Sequence, residues 1–228
     1  MWIILVLPLL SVVKDIAGEI DCDKHFFDQC QRPKLFDEIP NEIEVFTASC
    51  PGILAYIKCV KDFDMKCQEE DKRRFSQEQK YDDLYALFDG MCKEGTALNK
   101  VVTTQLKCFN ETLSNTNCEQ ERKGFLKPYE TEIQLDEFRT THVIPERVYC
   151  LSQILLVNCI VDDITRNCGL RPRLLTVELL RRYGFVDISC PLSYREGLLE
   201  DLDEFNLTEN QKTFAIYELE RLRILYDV

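Results

Sequence analysis

Histidine is almost missing from this chain: His25 and His142 are the only two in 228 residues. No Ser, Asp and His order recurs along it, so a nucleophile activated by a positioned base has little to be built from. Glycine is also scarce, at eight, and no D-x-D-x-D-G register marks a calcium loop. Paired CxxC elements are absent, which removes the usual zinc framework. Positive charge is short as well. Lys plus Arg number 28 against 40 Asp plus Glu, for a net charge of −12. That sign repels phosphate backbones and anionic lipid surfaces, and no basic stretch offsets it locally, so neither nucleic acid nor a membrane surface is an expected partner. Beyond the first residues, no run reads as approaching the roughly 18 apolar residues of a membrane span.

What is present begins with "MWIILVLPLLSVVKDIAG". Residues 2–13 contain one polar side chain, Ser11, and no charge. Such a run is too short to cross a bilayer and fits the apolar core of a signal peptide, expected to cover residues 1–18. Apolar residues make up 45% of the chain, enough for a real core. Twelve cysteines occur, at Cys22, Cys30, Cys50, Cys59, Cys67, Cys92, Cys108, Cys118, Cys150, Cys159, Cys168 and Cys190. An even number behind a leader implies disulfides formed in an oxidising compartment, so the protein is expected to be secreted, extracellular and fully oxidised.

The cysteines carry a repeat. Their intervals run C-x7-C-x19-C-x8-C-x7-C-x24-C and then C-x9-C-x31-C-x8-C-x8-C-x21-C. Six match six in order, and the largest length difference falls where prolines stand, Pro33 and Pro40 in one set, Pro128 and Pro145 in the other. "FNET" at 109–112 and "FNLT" at 205–208 follow the last cysteine of each set. Two tandem units are expected, 19–105 and 106–228.

Periodicity is helical throughout. "PGILAYIKCVKDFDMKC" places Ile53, Tyr56, Ile57, Val60 and Phe63 on one side, with Pro51 suited to a first turn. "SQEQKYDDLYALFDGMC" opens with a Ser76 and Gln79 capping box and carries Tyr81, Leu84, Tyr85, Phe88 and Met91, with Gly95 as a stop. "TENQKTFAIYELERLRILYDV" opens with Thr208 and Gln211 and sets Ala215, Leu219, Leu222 and Tyr226 on one face. "YGFVDISC" is β-branched and aromatic, but its place in the repeat reads as a helix end. The helix "VYCLSQILLVNCIVDDI" is apolar on more than one face and is expected at the centre of the fold.

Spacing restricts the bridges. Cys59 and Cys67 are about 12 Å apart on one helix, beyond the roughly 7 Å limit for a disulfide, and Cys159 and Cys168 are further still, so each must reach another segment. In an antiparallel helical hairpin the start of one helix faces the end of the next. This predicts Cys50–Cys92 and Cys150–Cys190. The other partners stay open, because Cys108 and Cys118 suit either unit.

"CPGILAYIKCVKDFDMKC", "LYALFDGMCKEG" and "LKCF" together resemble the arthropod 27-kilodalton hemolymph glycoprotein family over residues 50–109, with an echo from 150 to 190. The resemblance implies a helical, extracellular, glycosylated protein, without the Gly-rich acidic segment associated with that family after Cys92. "CDKHFFDQC" invites comparison with secreted phospholipases, but no Asp follows His25 directly and no calcium loop precedes it. Cys22 with His25 lacks a second pair of zinc ligands. Glu69-Glu70-Asp71 and the Asp201, Asp203 and Glu204 group read as solvated helix ends. "DKRR" at 71–74 reads as a connection inside a stapled unit rather than a processing site. Asn110 and Asn206 head the two N-glycosylation motifs and are expected in loops that follow helices.

The expectation is an all-α, disulfide-stapled, non-enzymatic protein with no metal and no cofactor. Its partner is either an apolar small molecule held between helices, as in a carrier, or an extracellular protein met by an acidic surface, as in a venom or saliva component.

Overall fold

The computed structural model describes residues 20–69, 75, 78–136 and 139–226, and the side chains among them apart from 132–142, 192 and 222–226. The expected leader, the "DKRR" connection, Ser76 of the first capping box, and the side chains of His142, Leu222 and Tyr226 lie outside what is described.

The fold is all-α. Its helices are α1 (Phe26–Gln29), α2 (Ile43–Cys67), α3 (Glu78–Cys92), α4 (Ala97–Asn115), α5 (Cys118–Leu126), α6 (Glu146–Cys168), α7 (Leu170–Arg182), α8 (Phe185–Ser189), α9 (Leu192–Asp201) and α10 (Glu209–Tyr226). One hairpin departs from the expectation of helix throughout. Strands β1 (Thr131–Asp136) and β2 (Arg139–Val143) pair antiparallel, Thr131 opposite Val143, with an irregularity between Gln134 and Asp136. Here Ile133 and Leu135 alternate with polar residues and β-branched residues follow, between Pro128 and Pro145, a period of two rather than of helical spacing. The hairpin fills the longest of the cysteine intervals.

α2 also begins earlier than Pro51 suggests. Phe46 and Cys50 are buried, so the helix gains by continuing back to Ile43. The hydrogen bond a proline cannot give falls between Pro51 and Thr47, both exposed, where water can take the carbonyl. The expected stripes otherwise pack inward: Ile53, Ile57, Val60 and Phe63 from α2, and Tyr81, Leu84, Phe88 and Met91 from α3. Tyr85 points outward and Leu87 takes its place. "YGFVDISC" contains α8, preceded by Gly184 at φ 68°, where a Cβ would also meet the Phe75 ring at 2.9 Å.

Two apolar clusters result. One gathers α2, α3 and α4 with Leu175 of α7; the other surrounds α6 with residues of α8, α9 and α10. α4 and α7 touch both sides of the molecule. The expected boundary at residue 105 falls within the continuous helix α4. α6 is the central element: it packs against α4, α5, α7, α8, α9 and α10, and no residue from Cys150 to Thr165 is exposed. α2 and α6 each contain an 18-residue window apolar enough for a bilayer, more than the sequence reading credited, but α6 is 61% buried inside the fold over that window. Both helices are also tied by cysteines to three other segments.

All twelve cysteines are paired: Cys22–Cys67, Cys30–Cys59, Cys50–Cys92, Cys108–Cys168, Cys118–Cys159 and Cys150–Cys190. Both hairpin bridges read from the sequence are among them. In each set of six the order is the same: first with fifth, second with fourth, third with sixth. Such a set of bridges belongs to an oxidising environment.

Candidate functional site

Among the described residues, four places concentrate chemistry: a cavity beside α6, a polar cleft between α4 and α6, a cluster of metal-type donors, and the two acceptor motifs.

The cavity lies where an apolar ligand was expected. Val157 of α6, Val177 and Leu180 of α7, Phe185 and Val186 of α8 and Phe214 of α10 line it. Its volume is about 10 Å³, on the scale of one water, whereas sites for small ligands run to about 300 Å³ and more. Its rim is ionic. Glu218, with a side chain 3% exposed, accepts from Arg181 Nη2 at 2.7 Å and Arg221 Nε at 3.2 Å. Burial presses the Arg181 guanidinium toward losing its proton, but the bond to Glu218 and its charge, with Tyr217 beside it, raise its pKa overall. The guanidinium also stacks over the Tyr217 ring at 5.1 Å. This arrangement holds α7 to α10.

The cleft is roomier, about 330 Å³, and is lined by Cys108, Glu111, Thr112, Asn115, Thr116, Asp163 and Asn167. Sequence reasoning passed over it. The signal was there as polar pairs at a spacing of four, Glu111 with Asn115, Thr112 with Thr116 and Asp163 with Asn167, which mark polar ridges on two helices. Its carboxylates are already committed within the fold. Asp163 accepts from Thr116 Oγ1 at 2.6 Å and pairs with Arg166, while Glu111 lies 3.7 Å from Lys107 Nζ.

Among the described residues, Cys118, Cys159 and Asp163 bring metal-type donors within 4.8 Å of one another. The two sulfurs are bonded to each other, so neither offers a thiolate. Cys22 is likewise bonded to Cys67, and His25 is a helix cap whose Nδ1 accepts from the Phe27 amide at 3.4 Å. The acidic group at 201–204 serves ion pairs, Asp201 with Arg147 and Asp203 with Lys212.

The acceptor motifs part company. Asn206 is exposed and lies between Glu204 and α10, as expected. Asn110 does not follow a helix but sits inside α4, which runs unbroken from its Thr96 cap to Asn115 because nothing in "LKCFNETLSN" breaks a helix. Its amide donates to the carbonyl of Ile39. No family model, no curated protein and no solved structure matches the chain.

Proposed function

We propose that this is a secreted, non-enzymatic interaction protein, a stapled helical scaffold whose acidic surface meets a positively charged extracellular protein. The observation that carries the reading is the tight apolar packing of α6 against α7, α8 and α10. Where a carrier would need room, about 10 Å³ is present. Charge supports it: the chain carries a net −12, and the segment ahead of α2 exposes Asp23, Asp28, Asp37, Glu38 and Glu42 against Lys24, Arg32 and Lys34. Opposite charge on the partner would speed encounter and weaken with salt.

The two cysteine sets are read as copies of one unit, for which their shared pairing order is the support. The resemblance to 27-kilodalton hemolymph glycoproteins accords with an extracellular role. Protein purified from culture medium and extracted with organic solvent is expected to yield no fatty acid, sterol or similar compound in molar amount. An apolar compound at one per chain would overturn the reading in favour of a carrier.

A further inference from the structure

N-linked transfer couples the Nδ2 of an asparagine to a sugar and depends on the hydroxyl two residues later, and a fold that accepts the sugar keeps such a motif together at the surface. At 110–112 the fold separates them. Residues two apart on an α-helix do not share a face. Asn110 turns its amide to the Ile39 carbonyl. Thr112, 5% exposed, turns its hydroxyl to the Cys108–Cys168 bridge, 3.5 Å from Cys168 Sγ, and accepts from Asn167 Nδ2 at 3.3 Å. A sugar on Asn110 would stand where the chain at Ile39 packs.

At 206–208 the same motif lies outside any helix, with Asn206 and Thr208 both exposed. The Thr208 hydroxyl belongs to a surface cap, accepting from the backbone N–H of Gln211 at 3.3 Å and donating to Gln211 Oε1 at 3.1 Å. From this contrast we infer that Asn206 is the asparagine that carries glycan, and that Asn110 stays unmodified as a clasp between α4 and the segment at Ile39. The inference rests on the secretory reading. The donor is a polyprenyl diphosphate-linked oligosaccharide. Asn206 Nδ2 forms a bond to C1 of its first sugar and gives up one proton to a base. The bond from C1 to the phosphate oxygen breaks, and polyprenyl diphosphate leaves with the electron pair.

The test expresses the full chain in insect cells under two leaders, its own first residues and a standard secretion leader in their place. Protein from the medium is treated with the amidase that releases N-glycans and turns each occupied Asn into Asp, and then mapped by peptide mass. Under the standard leader, conversion is expected at position 206 and not at 110. Asn206→Gln should remove all glycan mass, and Asn110→Gln should leave it unchanged. Conversion at 110, or an unoccupied 206, would overturn the inference, and the unsubstituted chain decides it even where a variant folds poorly. Occupancy at 206 under the standard leader, with no export under the chain's own, would sink the secretory reading while upholding the site.

Discussion

Asn110 and Asn206 head the same three-residue motif, yet one is a structural donor and the other a surface side chain. Removing the first should therefore cost stability where removing the second does not. Asn110→Ala, studied after glycan removal, is expected to lower the unfolding free energy by about 1 kcal/mol, the usual net worth of such a bond. Asn206→Ala should stay near the original, and urea melts compare them. A second residue, Glu119, is set by charge. The hydrogen bond from Arg122 holds its carboxyl below the ordinary value of 4.5, with Arg122 and Lys123 adding attraction. A depressed carboxyl contributes stability above its unfolded pKa and loses it as pH falls through the folded one. Glu119→Gln is thus expected to be slightly less stable near neutrality and to lose less on acidification below about pH 4.5. Equal acid slopes in the two proteins would dismiss the pair. Its half-exposed position keeps the effect small.

At the scale of the element, α6 is the best-buried helix and α7 the most divided. Ile154 of α6 is fully buried, whereas Leu174 of α7 is 55% exposed. Ile154→Ala should lose about 3 kcal/mol through lost burial and the cavity left behind. Leu174→Ala should move stability by no more than about 0.5 kcal/mol. Thermal melts of the two variants side by side test whether α6 is the hub. α7 earns its place differently, with Leu175 in one cluster and Val177 and Leu180 beside the other. An ion pair and a hydrogen bond reinforce that joint: Lys80 of α3 reaches Asp187 of α8 at 3.5 Å, and Arg182 donates to the Asp83 backbone carbonyl at 3.0 Å.

For the molecule as a whole, the bridges constrain one another. Cys108–Cys168 closes a separation of 60 residues, but Cys118–Cys159 already shortens the path between its ends. Nine residues lie between Cys108 and Cys118 and eight between Cys159 and Cys168. With the inner bridge intact, the outer one closes an effective loop of about 20 residues, worth about 3 kcal/mol in the chain-entropy account rather than about 4. The double variant Cys108→Ala/Cys168→Ala should lose that amount. A loss near zero would mean that packing of α4 on α6 already holds these ends, and the denaturant midpoint reports it.

Much of this was present in the residues taken one after another. Helical period, the Thr208 and Gln211 cap, the oxidising compartment and the two hairpin bridges follow from local spacing and from the reach of a disulfide. The centrality of α6 followed too, since a helix apolar on several faces must be surrounded. The hairpin was legible only as a weak period of two. The remaining four bridges required the tertiary fold, because spacing forbids Cys59–Cys67 without choosing among the cysteines that remain. The fates of Asn110 and Thr112 were decided there as well. A motif of three residues states which atoms are present, but the Ile39 carbonyl and the Cys168 sulfur that occupy them come from 71 and 56 residues away, and only packing brings them into contact.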